Sequence, residues 1–167
     1  MITVLPYDPA WKQAFEDIRA ELSEALGGLC TGIEHVGSTA VPGLSAKPTI
    51  DIDVMISDRS QLDVVIKALG LIGYIHEGDL GITGREAFRY EHKEHLMKHH
   101  LYVCAEDCEE LRRHIAFRDR LRTCPEEVRE YSRIKEEGAA LYPDDTDRYI
   151  LHKAPFIEEI YRRISWK

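Results

Sequence analysis

Apolar residues at the start of the chain recur with a helical period. Trp11, Phe15, Ile18, Leu22 and Leu26 are spaced by four, three, four and four residues, which places them on one face of an amphipathic helix. Asp8-Pro9 opens that helix, with Asp as N-cap and Pro at the first helical position, where its missing N–H costs nothing, and Gly27-Gly28 ends it. The partly alternating run 30–36 predicts a strand, and the turn formers of 37–44 turn the chain into a loop. From Ile50 to Ile56 the alternation is strict: Ile50, Ile52, Val54 and Ile56 share one face, and Asp51 and Asp53 share the other. A helix over 59–69 and strands over 71–76, 87–92 and 99–104 follow. The pattern then becomes helical over 106–122, 125–141 and 146–164, with Pro155 expected to bend or divide the last helix. This is an α+β layout, a mixed sheet core over about 28–104 followed by a helical part over 106–165, expected as one domain over 1–167.

Composition narrows the class. With 44% hydrophobic and 31% charged residues the chain reads as a globular protein, which excludes wholesale disorder and fibrous repeats. Thirty acids against 22 bases leave a net charge of −8, which argues against bulk nucleic-acid binding, because Lys and Arg contacts to phosphate supply most of that affinity. The charge is unevenly placed: Met1 to Gly84 holds 12 acids and 5 bases, whereas the remainder is nearly balanced. No run reaches the ~18 apolar residues of a membrane span, and the N-terminus lacks the order of a secretory signal, so no membrane partner and a cytoplasmic location are expected. Cys30, Cys104, Cys108 and Cys124 include no CxxC pair and read as reduced thiols, with zinc on Cys104 and Cys108 a less favoured alternative.

The candidate chemistry centres on Asp51 and Asp53. Two carboxylates at i and i+2 on a strand raise each other's pKa unless a cation lies between them, and Mg²⁺ accepts one or two carboxylates plus water and phosphate oxygens. A solvated strand face bearing two aspartates is the plainer reading of the same pair. Upstream, Gly37-Ser38 favours the metal reading: glycine lets backbone approach a phosphate, and the Ser hydroxyl can donate to it. Twelve intervening residues allow loop and strand to return side by side.

Strand, Gly-Ser, spacer and Asp-hydrophobic-Asp-hydrophobic resembles the signature of the nucleotidyltransferase superfamily related to DNA polymerase beta. More closely, the run from His35-Val36-Gly37-Ser38-Thr39-Ala40-Val41-Pro42-Gly43-Leu44 through Lys47-Pro48-Thr49-Ile50-Asp51-Ile52-Asp53-Val54 resembles the central motif of the GrpB family, also called UPF0157. The resemblance continues in His99-His100-Leu101-Tyr102-Val103, in Phe117-Arg118-Asp119-Arg120-Leu121-Arg122, in Tyr131 with Lys135, and in Tyr149, Lys153, Phe156 and Ile157. It implies a nucleotidyltransferase-like mixed sheet flanked by helices. It further implies that Gly37 and Ser38 position the β- and γ-phosphates of a nucleoside triphosphate and that Asp51 and Asp53 hold Mg²⁺ or Mn²⁺. An acceptor group, on a small molecule or a protein, would attack the α-phosphate and pyrophosphate would leave.

Active members of the superfamily commonly carry a third carboxylate on a neighbouring strand, where this chain reads His100-Leu101-Tyr102-Val103. His100 is the natural substitute, as a metal ligand better suited to Mn²⁺ or Zn²⁺ or as the acceptor's base; a strand histidine bonded near the core is the plainer alternative. His114, Arg118 and Arg122 fall at i, i+4 and i+8, and Tyr131/Lys135 and Tyr149/Lys153 repeat the four-residue spacing, so Arg118, Lys135, Lys153 and also Lys47 are candidate phosphate contacts. Solvated helix faces with nearby acids are the competing account of each cation. The cluster His92, His95, His99 and His100 suggests zinc but reads better as a solvated loop entering a strand. There is no GxxxxGK[ST], no strand-linked GxGxxG and no GxSxG, and nothing marks an oxyanion hole beside Ser38. Two further readings stand beside nucleotidyl transfer: an inactive ligand-binding module of the same fold, and a metal-dependent phosphohydrolase.

Overall fold

The strict alternation at Ile50–Ile56 becomes an interior strand. A computed structural model describes residues 1–165. Their order is α1 (Ala10–Leu26), β1 (Gly32–Val36), β2 (Ile50–Ile56), α2 (Leu62–Gly70), β3 (Tyr74–Gly78), β4 (Arg85–Tyr90), β5 (His99–Ala105), α3 (Glu109–Thr123), α4 (Pro125–Leu141) and α5 (Thr146–Arg163). The strands form one mixed sheet in the order β1-β2-β5-β4-β3, with β2 and β5 parallel and the other pairs antiparallel. Strands first and helices last is the α+β arrangement that the hydrophobic pattern predicts.

One face of the sheet is apolar. Ile50, Ile52, Val54 and Ile56, extended by Leu101 and Val103, pack against Phe15, Ile18 and Leu22 of α1 and Val65 and Leu69 of α2. Full burial of each such side chain contributes about 2 kcal/mol, which fixes the register, because a one-residue slip of β2 would exchange isoleucines for aspartates. The opposite face therefore carries Asp51 and Asp53, in register with His100 and Tyr102 of β5. At one end α3 closes this face, with Cys104, Cys108 and Leu111 packed against Met55 and Ile115. Beyond the other end lies a second core, in which Val41 and Leu44 from the loop after β1 meet Tyr131 of α4 and Phe156 and Ile160 of α5. Between the two apolar clusters Asp51 faces a polar cleft.

Several boundaries differ from the pattern-based expectation, each for a tertiary reason. The helix expected from 106 starts at Glu109, because the Glu106 N–H still donates to Ile56 O at 3.0 Å and prolongs the β2–β5 ladder. β4 occupies Arg85–Tyr90 rather than 87–92, since Arg85 pairs with Cys104 of β5 and His92 adopts a positive φ of 56° outside the strand. The strand expected at 71–76 is Tyr74–Gly78, because Ile72 and Gly73 are still donating back to the end of α2. α1 begins at Ala10, so Pro9 rather than Asp8 occupies the N-cap position, and the Asp8 carboxylate accepts from the Ala10 N–H at 2.9 Å. Pro155 does not divide α5. The carbonyl it leaves unpaired is that of Leu151, an exposed residue, where water can serve it.

Candidate functional site

Backbone geometry builds the first wall of the cleft. Gly37 ends β1 with φ +74°, and Ser38–Ala40 form a single 3₁₀ turn. A Cβ on Gly37 would collide with Asp51 Oδ2 and come within 3.0 Å of Asp51 Cβ and Cγ. Glycine is needed here twice, for its backbone conformation and for the space that the carboxylate fills. Behind the turn, His35 stacks on Phe15 at 4.7 Å and its Nε2 lies 2.9 Å from Thr39 Oγ1. Thr39 Oγ1 donates to Thr49 O at 3.3 Å, so it accepts from His35 Nε2–H. Burial first, then the Arg122 and Arg118 charges, hold His35 neutral, down to about 4.

The two aspartates have different surroundings. Asp51 is partly exposed, with Oδ1 2.9 Å from Nδ1 of His100. Asp53 is 0% exposed; its Oδ2 accepts from Nδ1 of His114 at 2.7 Å, and among the described residues its Oδ1 has no partner. His114 Nε2 in turn lies 3.1 Å from Glu110 Oε1. Burial opposes the charge on His114, but the bond and charge of Asp53, with Glu110 beyond, outweigh it and raise its pKa. With a carboxylate at each ring nitrogen, the proton of the pair belongs on the imidazole. Burial nonetheless keeps Asp53 above the usual carboxylate range.

The second wall is cationic. The cleft, about 140 Å³, is lined by Ser38, Thr39, Thr49, Asp51 and His100 on the sheet side and by Lys47, Lys135, Tyr149 and Lys153 on the helical side. Nζ of Lys47 and Lys153 lie 4.8 and 4.7 Å from the Tyr149 ring centroid, and Nζ of Lys135 lies 5.1 Å from that of Tyr131. Lys135 is buried, and burial and then Lys153 lower its pKa to about 7, against the pull of Asp51. Burial and then Lys47 lower Lys153 to about 8. Among the described residues none of these three amines forms an ion pair. Tyr149 Oη is buried and, among the described residues, has no hydrogen-bond partner.

The structure thus gathers Gly37, Ser38, Lys47, Asp51, His100, Lys135 and Lys153 around one cleft, with Asp53 beneath. It does not bring Arg118 there. Arg118 is buried against Glu34 and Asp119 and donates to His35 O at 3.0 Å, lining a separate cavity of about 490 Å³ with Arg122, Lys12 and Phe15. Arg122 donates to Ala40 O at 2.9 Å. The row His114-Arg118-Arg122 therefore does not line this cleft: α3 runs alongside β1, and its three side chains reach Asp53, the β1 backbone and the back of the Ser38–Ala40 turn in succession. Nor do the histidines of 92–100 converge. His95 pairs with Glu21, His99 Nε2 accepts from Tyr74 at 2.7 Å, and His100 turns to Asp51. Among the described residues no three His, Cys, Asp or Glu groups form a ready metal cage. Asp51 and Asp53 suit a hard cation that draws its remaining ligands from water and phosphate, and the orphaned Asp53 Oδ1 is a donor left for it. Tyr149 and His114 are the participants that sequence reasoning left in other roles; the spacing of Tyr149 with Lys153 was the available signal.

A family profile described as GrpB protein matches residues 1–163. The chain is 32% identical over 160 residues to the UPF0157 protein YqkA of Bacillus subtilis, covering 94% of this chain and 45% of that protein, so it spans about half of that relative. It is 39% identical over 168 residues to a UPF0157 protein of Pseudomonas aeruginosa, covering 97% of this chain and 67% of that one. Among solved structures, the conserved protein GrpB from Enterococcus faecalis superposes with a TM-score of 0.84 at 33% identity, over 99% of this chain and 100% of that one. The Cid1 poly(U) polymerase bound to MgATP superposes with a TM-score of 0.58 at 9% identity, over 82% of this chain and 44% of that one, a likeness of fold alone.

Proposed function

The chain belongs to the GrpB family, and from that premise we propose that it binds a nucleoside triphosphate in the cleft and transfers the nucleotidyl group to an acceptor. Three amines that form no ion pair among the described residues, facing Asp51 across the cleft beside a Gly-Ser turn, with Asp53 two residues further along β2, carry this reading, since a polyphosphate and a divalent cation are the ligands that satisfy both sides. The fold is that of nucleotidyltransferases such as Cid1, which has been seen with MgATP and with a UTP analogue.

In this reading Gly37 and Ser38 approach the β- and γ-phosphates, while Lys47, Lys135 and Lys153 neutralise the chain. Asp51 and Asp53 would hold Mg²⁺ or Mn²⁺, which would supply charge neutralisation at the reacting phosphate. His100, fixed by Asp51 through Nδ1, takes the acceptor's proton. A bond forms between the acceptor and Pα, the Pα–O bond to the leaving group breaks, and pyrophosphate departs. Asp51→Asn with Asp53→Asn is expected to retain the fold and lose metal-dependent nucleotide binding; unchanged affinity in that double variant would overturn the proposal.

A second reading, binding without transfer, is favoured by one observation: β5 sets His100 and Tyr102, not an acid, beside Asp51 and Asp53. Pyrophosphate release from labelled triphosphates with Mg²⁺ or Mn²⁺ across candidate acceptors separates the two. Release of inorganic phosphate instead would indicate a phosphohydrolase.

A further inference from the structure

The nucleotide reading leaves open which part of the ligand the cleft recognises, and Tyr149 bears on that question. Nucleotide sites commonly offer the base an aromatic face, and among the described residues the helical side of the cleft lining has one ring to offer. That ring is engaged: the ammonium groups of Lys47 and Lys153 both lie within 4.8 Å of its centroid, and its hydroxyl is buried in the wall. The other ring in the lining, His100, is tied to Asp51 at the carboxylate end. The remaining sheet-side contacts, Ser38, Thr39 and Thr49, offer hydroxyls, and no amide side chain lines the cleft among the described residues. Its volume of about 140 Å³ is well below the ~300–1,000 Å³ of pockets that enclose whole drug-sized ligands.

What the cleft does present is charge. Three amines without carboxylate partners among the described residues stand in one small volume, each a compact group with no planar geometry to impose on its ligand. The Tyr149 ring holds two of them in place by cation–π attraction while leaving their N–H groups to a ligand. Such a site counts phosphates.

We infer that this cleft recognises a linear triphosphate chain and is indifferent to the base, so that inorganic tripolyphosphate occupies it as well as a nucleoside triphosphate does. The inference rests on the nucleotide-binding reading for the location of the site, but it can fail while that reading stands.

Isothermal titration of the wild-type chain in Mg²⁺ tests it with ATP, UTP, ADP, inorganic tripolyphosphate, pyrophosphate and adenosine. ATP, UTP and tripolyphosphate are expected to bind within about threefold of one another, ADP and pyrophosphate about tenfold or more weaker, and adenosine not at all, one lost charge-assisted contact being worth about tenfold. Lys47→Gln and Lys153→Gln, checked for an unchanged melting temperature, should weaken ATP and tripolyphosphate by the same factor. A tenfold preference between ATP and UTP, failure of tripolyphosphate to displace bound ATP, or lysine variants that weaken ATP alone would each overturn the inference and leave nucleotide binding intact. Binding of tripolyphosphate without any nucleoside triphosphate would overturn both the inference and the nucleotide reading, as would binding of none of these ligands.

Discussion

His114 Nδ1 stands 2.7 Å from the buried Oδ2 of Asp53, so the carboxylate at the centre of the sheet owes its charge to a histidine from α3. Removing one partner of a buried ion pair leaves the other charge uncompensated, at a cost of about 3 kcal/mol. His114→Ala should lose about that much stability in urea unfolding. The same substitution in an Asp53→Asn background should lose less than about 1 kcal/mol, because no full charge is then stranded. Equal losses in the two backgrounds would show that His114 acts through packing.

Gly37→Ala tests the turn. Alanine at φ +74° costs about 1–2 kcal/mol in backbone strain, and the new methyl displaces the Asp51 carboxylate. Triphosphate affinity should fall by tenfold or more. Gly27→Ala supplies the control, since Gly27 also has a positive φ of 52° but nothing lies within 4 Å of its Cβ position. That variant should show strain with ligand binding intact, and parallel losses of binding in both would remove the steric argument.

Legibility followed locality. The alternation of Ile50–Ile56 specified an interior strand with its aspartates on one side, and the period-2 rule placed His100 on the same side of β5, where it meets Asp51. α3 was opaque because its buried positions include Leu111, Arg118 and Leu121, which is no clean apolar stripe, so the face it turns to the sheet is set by packing rather than by pattern. Arg118, a candidate phosphate contact by its helical spacing, is held by Glu34 and the His35 carbonyl, partners that lie more than eighty residues away in sequence. Lys135 and Lys153 were visible as four-residue pairs with Tyr131 and Tyr149. The convergence of Lys153 with Lys47 on the Tyr149 ring, beside Lys135 over Tyr131, depends on how α4 and α5 pack against the loop after β1.

Lys135 makes the cleft sensitive to pH. It is buried among Lys153 of α5, Lys47 of the loop and Asp51 of β2, and its pKa of about 7 compares with an ordinary 10.5. Between those values the unfolded chain binds the additional proton, so this group's contribution to stability rises as pH increases, and its penalty is complete below pH 7. Lys135→Met should therefore stabilise the ligand-free protein at pH 6, by up to about 5 kcal/mol, and the gain should vanish near pH 10. Triphosphate affinity of the wild type should fall as pH rises through 7 and 8, where Lys135 and then Lys153 lose charge. Thermal melts across that range check the first expectation, and a pH-independent difference between the two proteins would refute it.

His35 sets a stability limit on the acid side. Its ring is stacked on Phe15 and its Nε2–H is given to Thr39, with Arg122 and Arg118 of α3 disfavouring a second proton and Asp51 of β2 and Glu16 of α1 only partly offsetting them. Its folded pKa of about 4 lies below the ordinary 6.5, so the unfolded chain binds the extra proton first as pH falls. The neutral ring's contribution is present above pH 6.5 and is lost progressively down to about pH 4, amounting to about 3 kcal/mol. His35→Gln keeps a donor for Thr39 and removes the titration, so urea unfolding of this variant should show a shallower loss of stability between pH 6.5 and 4 than the wild type. Identical slopes would mean that His35 takes up its proton in the folded protein over the same range as in the unfolded chain, and that the stacked, neutral ring is not what braces the Ser38–Ala40 turn.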